Sequence, residues 1–367
     1  MALRCERSGK MSAEGMIMRA LTVLPLTAGS LEVSEVADPV PGEGELLVEG
    51  LALGVCGTDR EIVAGHYGWA PPGAERLILG HESLGRVREA APGSGFSPGD
   101  LVVGIVRRPD PVPCGACAHG EFDMCRNGRY TEHGIKEIHG YGSQLWTVEA
   151  DYAVRLDPSM ADVGVLLEPT TVVAKAWDHI ERIGRRAWFE PHCVLVAGAG
   201  PIGLLAALLG VQRGLDVHVL DRVSSGPKPE LVAALGATYH TGSIPEVAAK
   251  TEPEIVIEAT GVPRLVLDAM ANNAAAGVVC LTGVSPTGRP LEVDAGAINR
   301  EIVLQNDVVF GTVNANRSHY DQAVRALGLA DHSWLNGMIT RRLPLDRAHE
   351  AFEQGEAEVK VVIDLQP

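Results

Sequence analysis

The sequence predicts an α/β fold of two units: a doubly wound parallel sheet and a mostly antiparallel β domain. Three observations predict it. From Cys193 onward, short apolar strands alternate with helical segments, the pattern of a parallel sheet covered on both faces. Up to about Asp157, β-rich runs are broken by glycine and proline, as in an irregular antiparallel domain. A chain of 367 residues is also long for a single core.

The first credible strand is Met18–Leu24; what precedes it reads as a loose extension without the apolar run of a signal peptide. Glu45–Leu53, Ser83–Ala90 and Leu101–Val106 follow as strands, separated by turns such as SPGD at Ser97–Asp100. The rhythm changes near Ala161, and Leu166–Ile180 is periodic enough for a helix. The alternating unit then runs strand Cys193–Ala197, helix Ile202–Arg213, strand Val217–Asp221 and helix Pro229–Leu235. Further strands are expected at Ile255–Glu258, Gly277–Leu281 and Val308–Thr312. A helix at Ser318–Leu327 leads to a final strand, Glu358–Asp364, which has no partner in the alternating unit. The expected organisation is therefore a discontinuous catalytic domain, residues 1–179 and 317–367, around a nucleotide-binding domain, residues 180–316. The sequence contains no internal repeat and no low-complexity tract.

Composition narrows the function classes. Hydrophobic residues make up 46% of the chain, with 42 glycines and 23 prolines, as in a globular protein rich in turns. The net charge of -16 argues against nucleic acid or an acidic membrane face as partner, because no basic tract offsets it. Seven cysteines, an odd number, suit a reducing compartment, and the cytoplasm is the expected location. No uninterrupted apolar run is long enough to span a bilayer; Val194–Val211 comes closest and is cut by glycines and Pro201.

Between the apolar strand and the apolar helix lies Gly198-Ala199-Gly200-Pro201-Ile202-Gly203. In that context the pattern is the fingerprint of a Rossmann-type dinucleotide site. Gly198 permits the tight turn, Gly200 lets the backbone approach a pyrophosphate, and Gly203 allows close helix–strand packing. The helix N-terminus offers free N–H groups to the phosphates, and Pro201 and Ile202 open that first turn. Asp221 ends the second strand about 20 residues later, where an acid accepts hydrogen bonds from the ribose and repels a 2′-phosphate. Arg222 beside it is suited to the extra phosphate of NADP. NAD is favoured over NADP on the strength of Asp221.

Two sets of residues suggest metal. Cys56-Gly57-Thr58-Asp59, Gly80-His81-Glu82 and Glu168-Pro169 offer a thiolate, an imidazole and carboxylates, a donor set for zinc with a position left for water or substrate. Spacing alone does not assemble residues so far apart, and each has an ordinary structural explanation. Cys114-x2-Cys117-x7-Cys125 is more compact and reads as a structural zinc knuckle, or else as a lobe of free thiols. Its fourth ligand is missing, with Asp110, His119 and Asp123 as local candidates.

These segments resemble the zinc-containing medium-chain dehydrogenase/reductase family, and within it the archaeal-type glucose (aldose) 1-dehydrogenases. The resemblance runs from Met18 onward and rests on GVCGTDREIVAGHYG, LILGHESLGRV, FDMCRNGRYTEHGI, HGYGSQLW, LLEPTTVVAKA, VAGAGPIGLLAALL, IEATGVP, DAGAINREIVLQNDVVFGTVNANRSHY and KVVIDL. It implies a GroES-like catalytic domain beside the Rossmann-type unit. It also implies that Cys56, His81 and Glu168 hold a catalytic zinc, with Glu82 as an alternating ligand and Thr58 as proton relay. Glu132 and Asn314 would meet sugar hydroxyls, Asn314 also lying near the nicotinamide, with His66 and Asn306 as further polar partners and Thr260 in the cofactor site. Three departures stand out: the first cysteine of the structural-zinc lobe is absent, Asp110 lying nearby; Leu220-Asp221-Arg222 stands where close relatives commonly carry Asn-Arg-Arg or Gly-Arg-Arg suited to NADP; and Val172 stands where some relatives carry a sugar-binding aspartate.

The activity these features imply is oxidation of the C1 hydroxyl of a cyclic aldose to a lactone, with hydride passing to NAD(P). The rival within the family is a polyol or secondary-alcohol dehydrogenase; outside it, a nucleotide-binding regulatory protein. A homodimer or homotetramer is expected from the resemblance.

Overall fold

The computed structural model describes residues 16–286, 290–353 and 355–367. The extension expected at the start of the chain lies outside the described residues. Six parallel strands form one sheet, in the spatial order Thr238–His240, Asp216–Leu220, Cys193–Ala197, Ile255–Glu258, Val278–Leu281 and Val308–Gly311. The chain enters at the middle of the sheet, builds outward to one edge, then returns to build the other half, the doubly wound arrangement. Its central strands are buried along their whole length, because helices cover both faces. The helix Pro201–Gln212 follows the same logic. It is apolar on every side because it sits between the sheet and the helix Leu167–Gly184.

The antiparallel part is built on a second sheet. Its order is Ala153–Leu156, Leu101–Gly104, Glu82–Glu89, Glu45–Val55, Lys360–Asp364 and Ile339–Pro344, with Leu145–Glu149 pairing the first half of Glu45–Val55. Lys360–Asp364 thus pairs antiparallel with Glu45–Val55, putting the late strands of the chain beside an early one. A smaller sheet joins Arg107–Arg108, Thr131–His133 and Glu137–Ile138. Strands of two or three residues carry no alternating pattern, so this sheet was not anticipated.

The helix Leu167–Gly184 fastens the two parts together. It continues past Ile180, where its pattern was expected to stop, and twelve of its residues are buried. Trp177 is 1% exposed and donates its indole N–H to Ala206 O across 3.2 Å. The largest hydrophobic core accordingly mixes Leu101, Val103 and Val154 of the antiparallel part with Val194, Val196 and Ile257 of the parallel sheet. Among the described residues no helix is long and apolar enough to cross a membrane.

Candidate active site

Cys56 is brought to His81 by strand register. Gly54 lies opposite Glu82 in the antiparallel pairing, so the residues just past one strand end meet those just before the other. Cys56 then caps the helix Gly57–Val63: its Sγ accepts the Thr58 N–H at 3.2 Å, while Asp59 accepts the Cys56 N–H at 3.0 Å. The reciprocal capping fixes the thiol at the helix start. The Cys56 Sγ lies 3.1 Å from His81 Nε2, and Asp59 Oδ1 lies 3.3 Å from His81 Nδ1. Burial alone would discharge His81, but Asp59 and Cys56 on its two sides hold its pKa well above the ordinary imidazole value. Burial likewise opposes ionisation of Asp59, and His81 overcomes it, holding the carboxyl low. A carboxylate behind a ligating imidazole is the usual means of fixing the ring for a metal.

Cys56, His81 and Glu82 form a group whose donor atoms all lie within 4.8 Å of one another. His81 and Glu82 are buried and Cys56 half-buried, and soft thiolate, imidazole and carboxylate together suit zinc. The residues therefore fit the metal. Glu168 stands at the start of the helix Leu167–Gly184, outside that tight group. Burial pushes its pKa up to about 7, with His81 and Lys360 opposing the shift and Glu82 adding to it. Its carboxyl belongs to the same electrostatic cluster. Glu82 is held by Lys360, whose Nζ lies 2.7 Å and 2.6 Å from its two carboxylate oxygens.

Glu132 lies on the small sheet opposite Arg107 and is 6% exposed. Its Oε1 accepts from Arg107 Nε at 3.0 Å, from Arg107 Nη2 at 2.9 Å and from Asn314 Nδ2 at 2.6 Å. Oε2 makes no hydrogen bond among the described residues. One oxygen is saturated and the other free to accept from a hydroxyl. Asn314 sits in the left-handed region at φ 62°, its Oδ1 accepting the Ala315 N–H, so the loop presents its amide to Glu132. His66 is exposed on the turn after Gly57–Val63, its N–H going to Glu61 O, and it makes no hydrogen bond to this pair among the described residues. At its neighbour Tyr67, burial and the Glu132 charge raise the phenol pKa.

The glycine loop fits a dinucleotide. Gly198 has φ 108°, and a side chain on Gly203 would fall 1.8 Å from Gly198 O, so only glycine allows this approach. At Gly200 no atom lies within 4 Å of the point a side chain would occupy, leaving the helix start at Pro201 and Ile202 open to a pyrophosphate. Thr260 packs its methyl against Gly198 and donates its N–H to Glu258. Asp221 accepts the Ala199 N–H at 2.8 Å and the Val223 N–H at 3.1 Å, with Lys228 Nζ at 3.4 Å. Arg222 points outward to Glu356.

Two expectations need correction. Asn306 is not at the substrate site. It precedes Val308–Gly311, whereas Gly198 follows Cys193–Ala197, and in a parallel sheet those are opposite edges. Its carbonyl instead takes the Arg186 guanidinium at 2.6 Å. Asp110 is not a ligand of the cysteine lobe. The thiols of Cys114, Cys117 and Cys125 do cluster, with Cys114 and Cys117 Sγ 3.7 Å apart. The Asp110 carboxylate is instead taken by Val112 N–H and Asn127 Nδ2. His119 bonds Gly115 O, and Asp123 is paired with Lys175 at 2.7 Å. The Arg126 N–H on Cys114 Sγ, together with Cys117, lowers the Cys114 pKa to about 6.

Asp59, Arg107 and Lys360 escaped sequence reading. Asp59 carried a signal, since an acid three residues after a helix cap closes a capping box.

A half-buried Cys56 against buried His81 and Glu82, beside a doubly wound dinucleotide sheet, defines the class: the zinc-type, nicotinamide-dependent alcohol dehydrogenases. Residues 42–158 match the alcohol dehydrogenase GroES-like domain and residues 161–365 match the glucose dehydrogenase C-terminus, and the chain belongs to this glucose dehydrogenase family. Glucose 1-dehydrogenase of Thermoproteus tenax is 40% identical over 95% of this chain and 100% of its own. That of Methanocella arvoryzae is 38% identical over 95% and 99%. The solved structure of Haloferax mediterranei glucose dehydrogenase, in complex with NADP, Zn and gluconolactone, is similar at a TM-score of 0.88 and 32% identity. It covers 95% of this chain and 100% of that one.

Proposed function

We propose that the chain is a zinc-dependent aldose 1-dehydrogenase that oxidises the C1 hydroxyl of a cyclic aldose, glucose above all, to its lactone. The observation that carries this reading is the pairing of two sites. Cys56, His81 and Glu82 offer a metal corner, and Glu132, set by Arg107 and Asn314, offers a free acceptor oxygen for sugar hydroxyls.

Cys56 and His81 would hold the zinc, with Glu168 completing the set. Bound there, the metal supplies Lewis acidity to the C1 hydroxyl, and the nicotinamide supplies the hydride acceptor. The chain's own residues do the rest. Asp59 orients the His81 ring through Nδ1. Thr58 Oγ1 takes the hydroxyl proton toward solvent. Glu132 Oε2 orients the ring by accepting from hydroxyls, and a substrate lacking them would leave this buried acceptor unpaired. Asn314 steadies that carboxylate by donating its Nδ2 hydrogen to Oε1.

For the cofactor, the Asp221 charge favours NAD, while the NADP held by the Haloferax enzyme supports the alternative. The odd cysteines fit the cytoplasm. A homo-oligomer, dimer or tetramer, is expected; the edge strand Val308–Gly311 is flanked by exposed Val303, Leu304 and Val313, a suitable face for a second copy.

The test is an initial-rate panel of aldoses, polyols and simple alcohols, before and after chelation, alongside Cys56→Ser. Aldose oxidation that vanishes with the metal, in both arms, is expected. Activity in a metal-free Cys56→Ser protein would remove the zinc mechanism, and preference for a polyol or secondary alcohol would favour that rival.

A further inference from the structure

We infer that Asp123 and Lys175 are the positioning pair of the sugar site: they aim the Glu132 carboxylate by holding its two partners, Arg107 and Asn314, in place. The inference rests on the reading of Glu132 as the acceptor of sugar hydroxyls. It extends that reading to two residues that make no hydrogen bond to Glu132 among the described residues.

Asp123 lies on the short turn Phe122–Met124 and is 5% exposed; Lys175 lies on the helix Leu167–Gly184 and is 1% exposed. Lys175 Nζ stands 2.7 Å from Asp123 Oδ2 and donates to Val313 O at 2.9 Å. The other carboxylate oxygen, Oδ1, accepts from Asn316 Nδ2 at 2.8 Å. The Asp123 carbonyl accepts from Arg107 Nη1 at 2.9 Å, while Nε and Nη2 of the same guanidinium grip Glu132 Oε1. These bonds close a ring. It runs from Asp123 through Arg107 to Glu132, on to Asn314, and back through Asn316 to Asp123.

Asn314 is the member of the ring that most needs support. Its backbone is left-handed at φ 62°, which a residue with a side chain keeps only where its surroundings fix it. Lys175 takes the carbonyl just before it, and Asp123 takes the side chain two residues after it. Asn316 is itself fixed from the other side, its Oδ1 capping the helix Arg317–Leu329 by accepting the Ser318 N–H. Stability alone does not call for an ion pair here, since apolar residues of the same shape often match or better a buried pair. What the pair adds is position. Losing it loosens Asn314 directly and Arg107 through the turn, so the Glu132 carboxylate can rotate and Oε2 no longer meets the hydroxyl.

The expected signature is a loss confined to sugars that disappears once Glu132 itself is changed. Zinc-loaded wild type, Asp123→Asn, Glu132→Gln and the double variant Asp123→Asn/Glu132→Gln are assayed with glucose and with a secondary alcohol, and urea unfolding is followed for each. Asp123→Asn keeps the shape of the side chain and removes the counter-charge of Lys175. It should lower kcat/KM for glucose by about 10-fold, mostly through KM, with a change below about 2-fold on the alcohol. Added to Glu132→Gln, it should cost glucose oxidation less than about 2-fold more, because both substitutions act through one carboxylate. Equal losses on the two substrates overturn the proposal, as do unchanged glucose kinetics or a full further loss in the double variant. Should Asp123→Asn fail to fold, Lys175→Met/Asp123→Asn decides by the same ratios, with and without Glu132→Gln, since it strands no buried charge. Failure of the underlying reading looks different: Glu132→Gln alone then loses equally on both substrates, whatever Asp123 does.

Discussion

Replacing Glu132 by Gln tests the sugar site with the least disturbance of shape. The native Oε1 accepts three hydrogen bonds and Oε2 accepts none from the described residues. An amide keeps an oxygen for Arg107 and Asn314 but turns the free acceptor into an N–H donor and removes the charge. The interaction lost with an aldose is then one charge-assisted hydrogen bond, ~1.5–3 kcal/mol, or roughly 10- to 150-fold in kcat/KM. A simple secondary alcohol has no second hydroxyl to present, so its kcat/KM should change far less. Arg107 is 6% exposed, and removing the partner of a buried charge costs ~3–5 kcal/mol at the extreme, so urea unfolding must accompany the kinetics. The measurement is kcat/KM for glucose and for a secondary alcohol, in wild type and Glu132→Gln, at a temperature where both are folded. Equal losses on the two substrates would refute the reasoning. Glu132 would then act only as scaffold for Arg107 and Asn314.

Two further outcomes are expected. Burial pushes the His319 imidazole down to about 4, against the pull of Asp123. The unfolded chain, with the ordinary value near ~6.5, binds the extra proton more readily, so this group's contribution to stability is present above that pH. It is lost as pH falls from about 6.5 toward 4, at up to ~1.4 kcal/mol per pH unit. Urea midpoints across that window should fall less steeply in His319→Gln than in wild type; superimposable slopes would contradict this. In the cofactor site, Asp221→Ser removes a negative charge from the ribose end and should shift the NADP-to-NAD ratio of kcat/KM upward by roughly 10-fold or more. A ratio that does not move would mean Asp221 serves the Ala199 and Val223 N–H groups alone.

The parallel sheet was legible because each strand is a short apolar run between turn residues. Cys193–Ala197 and Ile255–Glu258 come out residue for residue. What such runs leave out is the end of the strand on which a neighbouring residue lies. Asn306 was assigned to the substrate site although it precedes its strand, and in a parallel sheet ligands gather past the C-terminal ends. The small sheet carrying Glu132 was hidden for another reason: its strands are too short to show a period. The metal corner was visible as residue types but not as an assembly, because the Gly54–Glu82 register that joins Cys56 to His81 is a tertiary fact. Lys360 was the least legible. A lysine opening an apolar strand reads as a charge turned to solvent, and only the buried Glu82 beside it explains why it turns inward.

The pairing of Lys360–Asp364 with Glu45–Val55 has a consequence for how the molecule comes together. Cys56, His81 and Glu82 are synthesised early, yet the cation that balances Glu82 arrives only after the whole nucleotide-binding unit has emerged. Until then the ribosome-bound intermediate carries an unneutralised acidic nook on an incomplete β-sheet edge. Closing that edge demands a long-range contact of the slow-forming kind. The acidic corner beside Cys56 and His81 therefore gains its counter-charge late in the making of this protein.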